Sequence, residues 1–235
     1  GALVLTALVV LPANGQIYNW QAGEVIPGTE GITPGPEVDL SYWNTEAHNL
    51  RCADLSGGRD LHGSVFGSSW LDYARFNQAN LSGAYFCSYD FEGGGATLTN
   101  ADLSQANLNY AALCSATLTN ANLRQANLDG AFFISSTLTN ADLTDAHVTG
   151  TCFDQTTAQG FTADQLYSTA SYRSGNLQGI SLGGNNLTGW DFAGKNLAGA
   201  SFSGTTLANA DLSRANLDGA GLDQANGKID LIAPG

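Results

Sequence analysis

Basic residues are scarce in this chain of 235 residues, which holds 8 Lys and Arg against 21 Asp and Glu and has a formal net charge of −13 at pH 7. Nucleic acids and anionic membranes attract clustered cations, so this balance disfavours binding to either. Charged residues of both signs make up only 12% of the chain, whereas hydrophobic residues make up 43%, which is enough to bury a core. The composition therefore predicts a folded, acidic protein that binds no nucleic acid.

The chain also lacks a hydrophobic run long enough to span a bilayer. Its apolar N-terminal segment, residues 1–12, falls well short of the roughly 20 residues that a spanning helix needs. Ala13 and Gly15 place small residues at the two positions that a signal peptidase reads. We therefore expect residues 1–15 to be a signal-peptide remnant and the protein to be exported to the periplasm, the cell surface or the medium. Signal peptides begin with basic residues and the first one here is Arg51, so we expect the start of this segment to be clipped. A buried first strand is the alternative.

Recognisable metal-binding and catalytic patterns are missing as well. The four cysteines are widely spaced without a CxxC pair, and the three histidines do not recur at ligand spacing, so no metal site is expected. No nucleophile pairs with a base in the sequence pattern, so we expect neither a cofactor nor an enzymatic activity. These residues are Cys52, Cys87, Cys114, Cys152, His48, His62 and His147.

A strict period of five residues dominates the sequence. From Leu98 to Phe153 an apolar residue occupies every fifth position, and Ala stands two residues before it in ten of the twelve cases. Helices repeat about every 3.6 residues and strands about every two, so a period of five requires the chain to turn once in each A-(D/N)-L-x-x unit. If the small residue and the Leu point inward, the other three positions face solvent and the chain winds as a solenoid.

A second, longer period sets the number of sides. The string TLTNA begins at Thr97, Thr117 and Thr137, which are 20 residues apart. Twenty residues are four units of five, so four sides close one coil and equivalent residues stack directly on neighbouring coils. We expect stacked residues to lie about 4.8 Å apart, the usual spacing between strands.

The A-(D/N)-L-x-x units resemble those of the pentapeptide-repeat family. The resemblance runs from about Leu50 to Leu222 with one interruption, and it implies an all-β fold, a right-handed quadrilateral β-helix. Exported bacterial members of this family carry an N-terminal stretch similar to residues 25–36. Other members are acidic solenoids that mimic duplex DNA and bind topoisomerases, which is the alternative function that the resemblance implies.

The register of the repeats divides the chain. We call the apolar position of each unit its centre, and the centres fall into four blocks. There are two at 50 and 55, seven from 61 to 91, twelve from 98 to 153 and ten from 177 to 222. Together they give 31 units, or about eight coils. We expect an N-terminal cap at 16–49, solenoid at 50–153 and 177–222, an interruption at 154–176 and a C-terminal tail at 223–235.

The same register places the cysteines relative to one another. Cys114 and Cys152 fall on one side two coils apart, and Cys87 falls on the adjacent side of an earlier coil. Two coil spacings exceed the roughly 7 Å limit on the Cα separation of a disulfide. We therefore expect no disulfide within the repeats.

Residues 16–49 precede the repeats and combine aromatic side chains with three prolines. The prolines disfavour a regular central strand, and the aromatic side chains are suited to covering the apolar end of the first coil. An aromatic ligand-binding patch is the alternative. The aromatic residues are Tyr18, Trp20, Tyr42 and Trp43.

The interruption carries a helix signature. Thr162 followed by Gln165 three residues later forms a capping box, and Phe161 and Leu166 stand at the flanking staple positions. The pattern predicts one short helix from about 163 to 172 that bulges from a corner of the solenoid. A packed excursion is the favoured interpretation, with a binding element as the alternative.

One coil after the interruption breaks the rule for small inward residues. Its four inward positions hold Ile180, Asn185, Trp190 and Lys195. A buried Lys is costly, so either this coil is distorted or Lys195 turns outward. Structural adjustment against the helix is the favoured interpretation, and the alternative is an interaction site formed by Trp190, Lys195, Leu166 and Tyr167.

Together these features predict a non-enzymatic, exported solenoid that presents ladders of Asn, Thr and Asp to an unknown protein or envelope component. The alternative is the DNA-mimicking solenoid that binds a topoisomerase. Export disfavours this alternative, because a topoisomerase lies in the cytoplasm. Residues 226–235 also lack the hydrophobic helix of the dimeric mimics.

Overall fold

The computed structural model describes residues 16–43, 45, 49–87 and 94–227. The predicted signal-peptide remnant at 1–15, His48, Phe91 and the end of the predicted tail at 228–235 lie outside the described residues. Within the described residues the repeats form a β-helix, in which each side of a coil contributes a single bridged residue rather than a long strand.

Parallel bridges join residues 20 apart and recur at every fifth position. One coil makes four of them, and each pairs a residue with its counterpart in the next coil. Thr97 bridges Thr117, which in turn bridges Thr137, so the predicted stacking of the TLTNA strings is confirmed. The bridges of this coil are Thr97 with Thr117, Asp102 with Asn122, Asn107 with Asn127, and Ala112 with Phe132.

Each unit turns because one residue adopts a left-handed backbone conformation. Asn120 has a φ of +57° and Asn140 a φ of +56°, and the N–H of Ala121 donates to the C=O of Leu118 at 3.0 Å across the corner. Asn tolerates this conformation better than most residues, and Gly adopts it freely. The corner chemistry therefore accounts for the period of five.

The interior is filled by stacked Leu and Phe centres with the small residues beside them. Leu103 and Leu123 are fully buried and Leu143 is 1% exposed, which confirms the inward assignment of the unit. Phe rings also stack between coils, with ring centroids 5.0 Å apart for Phe66 and Phe86. Each interior layer thus buries the apolar faces of the layers on either side.

The N-terminal segment pairs with the first coil through a small antiparallel sheet. Strand β1 (Tyr18–Asn19) lies between strand β2 (Glu24–Val25) and strand β3 (Ala53–Asp54). Parallel bridging starts at Asp39, which pairs with Val65, ahead of the predicted start of the solenoid at residue 50.

The coil that follows Phe86 contains an insertion larger than the sequence register allowed. Bridges across it join residues 27 apart, such as Trp70 with Thr97, instead of 20 apart. The N–H of Ala96 donates to the C=O of Phe86 at 2.7 Å, so Ala96 takes the place of the next small inward residue after Phe86. The register that counted two additional residues here is wrong, because the bridges show seven.

This correction moves Cys87. Cys87 and Cys114 lie on one side of neighbouring coils, and the N–H of Cys114 donates to Cys87 Sγ at 3.0 Å. The prediction that placed Cys87 on the adjacent side is wrong, because it depended on the miscounted insertion. Cys152 does lie two coils from Cys114, as predicted, since the bridge ladder passes through Phe132.

Two short helices, rather than the single predicted helix, form the interruption. A 3₁₀ turn at Thr157–Gln159 precedes helix α1 (Ala163–Tyr167) and helix α2 (Ala170–Arg173). The predicted capping box is confirmed, because the Thr162 N–H donates to Gln165 Oε1 at 2.8 Å and the Gln165 N–H donates to Thr162 Oγ1 at 3.3 Å. The helix ends early because Thr169 caps a new helix, accepting from the N–H of Tyr172 at 3.1 Å.

The helices lie in the wall of the solenoid and do not bulge from a corner. Gln165 Nε2 donates to the C=O groups of Leu138 and Ala141 at 2.7 and 2.8 Å, which are carbonyls of the preceding coil. Parallel bridging resumes between Cys152 and Ser181, which are 29 residues apart. The predicted bulge is therefore wrong, because the helical segment replaces part of a coil.

Within the described residues, no helix is long and apolar enough to cross a membrane.

Candidate functional site: the rule-breaking coil and the outer walls

The coil that follows the helices fills its inward positions with larger residues because it packs on helices instead of on a regular coil. Ile180 is fully buried. Asn185 is 1% exposed and donates to the C=O groups of Phe153 and Leu182 at 2.8 and 2.9 Å. Its Oδ1 accepts from the N–H of Thr157 at 2.9 Å. Asn185 thus replaces backbone pairing that the helical segment cannot supply.

An aromatic cluster joins the helices to the same coil. The Trp190 ring lies 5.7 Å from Phe161 and 6.4 Å from Tyr167, measured between ring centroids. Tyr167 and Tyr172 stack at 4.4 Å, and Lys195 Nζ lies 3.9 Å from the centroid of the Tyr172 ring. Lys195 therefore turns outward and places its charge on an aromatic face, where the attraction is favourable.

Both tyrosine hydroxyls contact the backbone of one residue. Tyr167 Oη accepts from the N–H of Asp191, and Tyr172 Oη donates to its C=O at 2.8 Å. Partial burial, together with the neighbouring Asp191 carboxylate, raises the pKa of Tyr172 to about 12. Both rings are therefore neutral phenols at neutral pH and tie α1 and α2 to the next coil.

The structure thus brings the four predicted interaction residues together but turns two of them inward. Leu166 is fully buried and Trp190 is 7% exposed, whereas Tyr167 and Lys195 are half-buried. Their contacts explain the irregular coil as an adjustment to the helices. Only the edges of Tyr167 and Lys195 are open to a partner.

A ladder of amides, broken at His147 and the interruption, covers one outer side, which we call the asparagine wall. Asn80 Nδ2 donates to Asp60 at 2.8 Å, Asn107 Nδ2 donates to Asn80 at 3.0 Å, and Asn127 Nδ2 donates to Asn107 at 3.3 Å. The ladder resumes beyond the interruption at distances of 3.4 and 3.2 Å. The wall consists of Asp60, Asn80, Asn107, Asn127, His147, Asn176, Asn196 and Asn216.

Each amide of the wall is also fixed by its own backbone. Asn107 Oδ1 accepts from the N–H of Asn109 at 3.3 Å, and Asn127 Oδ1 accepts from the N–H of Asp129 at 3.1 Å. This turn-forming bond and the bond to the next coil together hold the side chain in one orientation. The sequence placed these residues outward but did not reveal that they bind one another.

The neighbouring side carries exposed apolar residues, and sequence reasoning missed it. Tyr85 is 45% exposed and Phe132 is 44% exposed, on a bridge ladder that also includes Ala112. Ile134 is 36% exposed beside them. The signal was available, because Tyr85, Ala112 and Phe132 stand where other units hold Asp or Asn. We call Tyr85, Ala112, Phe132, Ile134 and Cys152 the apolar wall.

An open groove of about 550 Å³ lies between α1 and the preceding coil. Its polar lining includes Thr139, Asn140, Asp142 and Gln165. None of its lining residues is His, Cys, Lys or Arg. Among the described residues, no group of three or more His, Cys, Asp or Glu side chains is arranged to hold a metal ion.

A family model of pentapeptide repeats matches residues 94–120, 116–155 and 196–226, in eight copies. These segments include Asn107, Asn127 and His147 of the asparagine wall before the interruption, and Asn196 and Asn216 beyond it. The chain belongs to the pentapeptide-repeat family. Membership of this family implies a right-handed β-helix, in agreement with the parallel bridges, and pentapeptide-repeat proteins are generally structural or interaction proteins rather than enzymes.

Several solved structures are similar to this pentapeptide-repeat chain. HetL, a pentapeptide repeat protein involved in heterocyst differentiation regulation from the cyanobacterium Nostoc sp., is 24% identical over 83% of this chain and 90% of its own, with a TM-score of 0.37. A pentapeptide repeat protein of the Arabidopsis thaliana thylakoid lumen is 40% identical over 43% of this chain and 68% of its own, with a TM-score of 0.33. QnrB1, a plasmid-mediated fluoroquinolone resistance protein, is 16% identical over 83% of this chain and 91% of its own, with a TM-score of 0.34. No curated protein matches the chain.

Proposed function

We propose that this pentapeptide-repeat protein is a non-enzymatic, exported solenoid that binds a protein or envelope component through its polar ladders. The observation that carries the proposal is the asparagine wall, whose amides are hydrogen-bonded from coil to coil. Export is supported by the apolar segment at 1–12 and the small residues that follow it.

The proposed shape is a right-handed, four-sided coil of about eight turns. Four parallel bridges in each 20-residue step support the four sides. Support for about eight turns comes from the asparagine wall, whose eight residues lie one in each coil, with the longer coils at the insertion and at the helices counted as single turns. A solenoid of this kind presents flat sides along its whole length.

The asparagine wall is suited to binding because its side chains are already ordered. A partner that binds flexible polar side chains must pay for restricting them, typically about 0.5–1.5 kcal/mol for each one immobilised. Here the bonds of Asn107 to Asn80 and to the N–H of Asn109 have already fixed the amide. The wall therefore offers a regular series of donors and acceptors at low entropic cost.

The same wall disfavours mimicry of duplex DNA. Its outward ladder consists mostly of neutral amides, with Asp60 at one end, and duplex DNA carries one negative charge for about every 1.7 Å of its axis. The net charge of −13 is spread over the chain rather than concentrated on this wall.

Cross-linking from defined positions tests the interaction. A photo-reactive amino acid placed at Asn109, beside the asparagine wall, is compared with one at Thr119, which holds the same place in its unit on another side; both positions are half-buried. In native cells we expect a defined cross-linked product from position 109 and none from position 119. Equal labelling from both positions, or none from position 109, would contradict binding through this wall.

Fractionation of native cells tests export separately. We expect the protein in the periplasmic, surface or medium fraction. Recovery with cytosolic markers would overturn export and leave the cross-linking result to decide the interaction.

A second variant, Asn107→Leu, removes the central amide of the asparagine wall and should abolish the cross-link from position 109.

A further inference from the structure

Cys87 and Cys114 lie next to each other on the outside of the solenoid, beside the apolar wall. The N–H of Cys114 donates to Cys87 Sγ at 3.0 Å, and the thiol of Cys114 lies 4.0 Å from the C=O of Phe132. Both side chains are half-buried, so a small reagent can reach them. All four cysteines are free thiols in the structure.

The backbone places this pair within the range of a disulfide. The bridge of Tyr85 with Ala112 sets Cys87 and Cys114 at equivalent positions on neighbouring coils. Adjacent strands lie about 4.7–4.9 Å apart, and disulfides join Cα atoms about 4.4–6.8 Å apart. Cys152 lies one coil further from Cys114 than Cys87 does, which puts it beyond this range.

The environment distinguishes the two thiols. The interaction with the Cys87 side chain lowers the pKa of Cys114 to about 7, aided by the backbone of Ile134 and opposed by partial burial. Donation to Cys114, together with partial burial, raises the pKa of Cys87. Burial also raises the pKa of Cys152, to about 11. Cys114 is therefore the thiol of the pair that ionises first, and a substantial fraction of it is thiolate at neutral pH, whereas Cys87 keeps its proton.

We propose that Cys87 and Cys114 form a two-cysteine redox site that a hydroperoxide oxidises to a disulfide between neighbouring coils. The Cys114 thiolate attacks the peroxide, forming an S–O bond as the O–O bond breaks, and the departing alkoxide takes a proton from water and leaves as an alcohol. Cys87 then attacks the sulfenic sulfur of Cys114, forming the S–S bond, and the hydroxide leaves with the Cys87 proton as water. Two electrons pass from the thiols to the peroxide, which becomes one alcohol and one water.

The disulfide would join the two coils that flank the insertion. Cys87 directly follows Phe86, whose C=O accepts from the N–H of Ala96 where the repeat resumes. The covalent link would therefore fix the spacing of two coils that seven additional residues separate along the chain.

Peptide mapping of the full chain tests the link. The reduced protein is treated with one equivalent of hydrogen peroxide, blocked with iodoacetamide and cut with trypsin and a Glu-specific protease. Trypsin leaves both cysteines in residues 76–124, and cleavage after Glu92 separates them. We expect peptides 76–92 and 93–124 to stay joined until a reductant is added. A joined peptide that contains Cys52 or Cys152 instead, or only singly oxidised cysteines, would overturn the proposal.

Variants separate the two roles. Dimedone labels sulfenic acids. In Cys87→Ala the sulfenic acid on Cys114 has no resolving thiol, so dimedone should label Cys114. In Cys114→Ala it should leave Cys87 almost unlabelled. At pH 7 iodoacetamide should modify Cys114 more than about tenfold faster than Cys152, because only the thiolate reacts. Cys152→Ser is the matched control and should form the 87–114 disulfide at the wild-type rate. Equal rates for Cys114 and Cys152, or stronger labelling of Cys87 than of Cys114, would contradict the assignment.

Discussion

The regular coils at 97–153 and the helical segment at 154–176 cover the same interior by different means. In the regular coils, the bridging N–H and C=O groups pair with those of neighbouring coils, as when the N–H of Leu118 donates to the C=O of Thr137 at 2.8 Å. In the helical segment, side chains supply many of these partners. Ser171 Oγ accepts from the N–H of Val148 at 2.9 Å, and Thr157 Oγ1 accepts from the N–H of Asn186 at 3.0 Å.

Because the two regions pair their backbone groups differently, they differ in the substitutions that they tolerate. A regular coil depends on the volume of its inward residues, because its backbone pairs with an identical backbone. The helical segment depends on particular side chains, because the backbone groups of its neighbours would otherwise be buried without partners.

The largest expected effect is in the regular coils, for Leu123→Ala. Leu123 is fully buried between Leu103 and Leu143, and removing its side chain leaves a cavity in a rigid stack. We expect the free energy of unfolding to fall by about 2–5 kcal/mol in a reversible urea melt. Asn122→Ala is the control, and loss of its 3.0 Å bond to Asp102 should cost only about 0.5–1.5 kcal/mol. Equal losses would show that the inward and outward positions are misassigned.

Where the next coil packs on the helical segment, we expect the largest loss of stability for Asn185→Ala, which restores the small residue of the regular unit. It leaves the N–H of Thr157 and the C=O of Phe153 without the Asn185 amide. We expect a loss of about 1–3 kcal/mol for each group left unsatisfied, together with faster hydrogen exchange at Thr157. Asn186→Ala, at the exposed neighbouring position, serves as control. A stability equal to wild type would mean that the regular unit suits this coil as well.

A smaller effect is expected where the irregular coil meets α2. Lys195→Met keeps the aliphatic stem but removes the charge that lies over Tyr172. Cation–π contacts at accessible sites contribute about 0.5–1 kcal/mol, and the urea melt should detect a loss of this size. Lys195→Arg keeps a cation and should stay close to wild type. If the arginine variant lost as much as the methionine variant, the charge would not be the cause.

The smallest effect concerns the ion pair that holds α2 to the regular coil before it. Arg173 donates to Asp145, and this bond keeps the pKa of the Asp145 carboxyl below its ordinary value of 3.8. Because the folded pKa is depressed, the contribution is complete above about pH 4. It is lost as the pH falls through the lowered pKa.

Acid titration of wild type and Asp145→Asn checks this pair. The two stability curves should differ at neutral pH and converge below pH 4, since protonation of Asp145 removes the same charge as the substitution. A constant difference across the acid range would rule out the carboxylate as the source.

Much of the fold follows from the sequence because the repeats are local and identical. The period of five, the 20-residue stacking of Thr97 on Thr117, the inward Leu123 and the capping box at Thr162 were all predicted correctly. Each depends on neighbours a few residues away or on copies of the same unit. The asparagine wall was predicted as a set of outward residues, whereas its hydrogen bonds appear only in three dimensions.

The sequence by itself determined the repeating unit, its inward and outward positions and the place where the repeat stops, because turn chemistry and apolar spacing act over a few residues. Tertiary structure decided how interruptions are bridged. Seven additional residues at one coil brought Cys87 beside Cys114, and two helices entered the wall under Asn185 and Trp190. These outcomes depend on which coil each segment meets when the solenoid closes, and the spacing of residues along the chain does not contain that information.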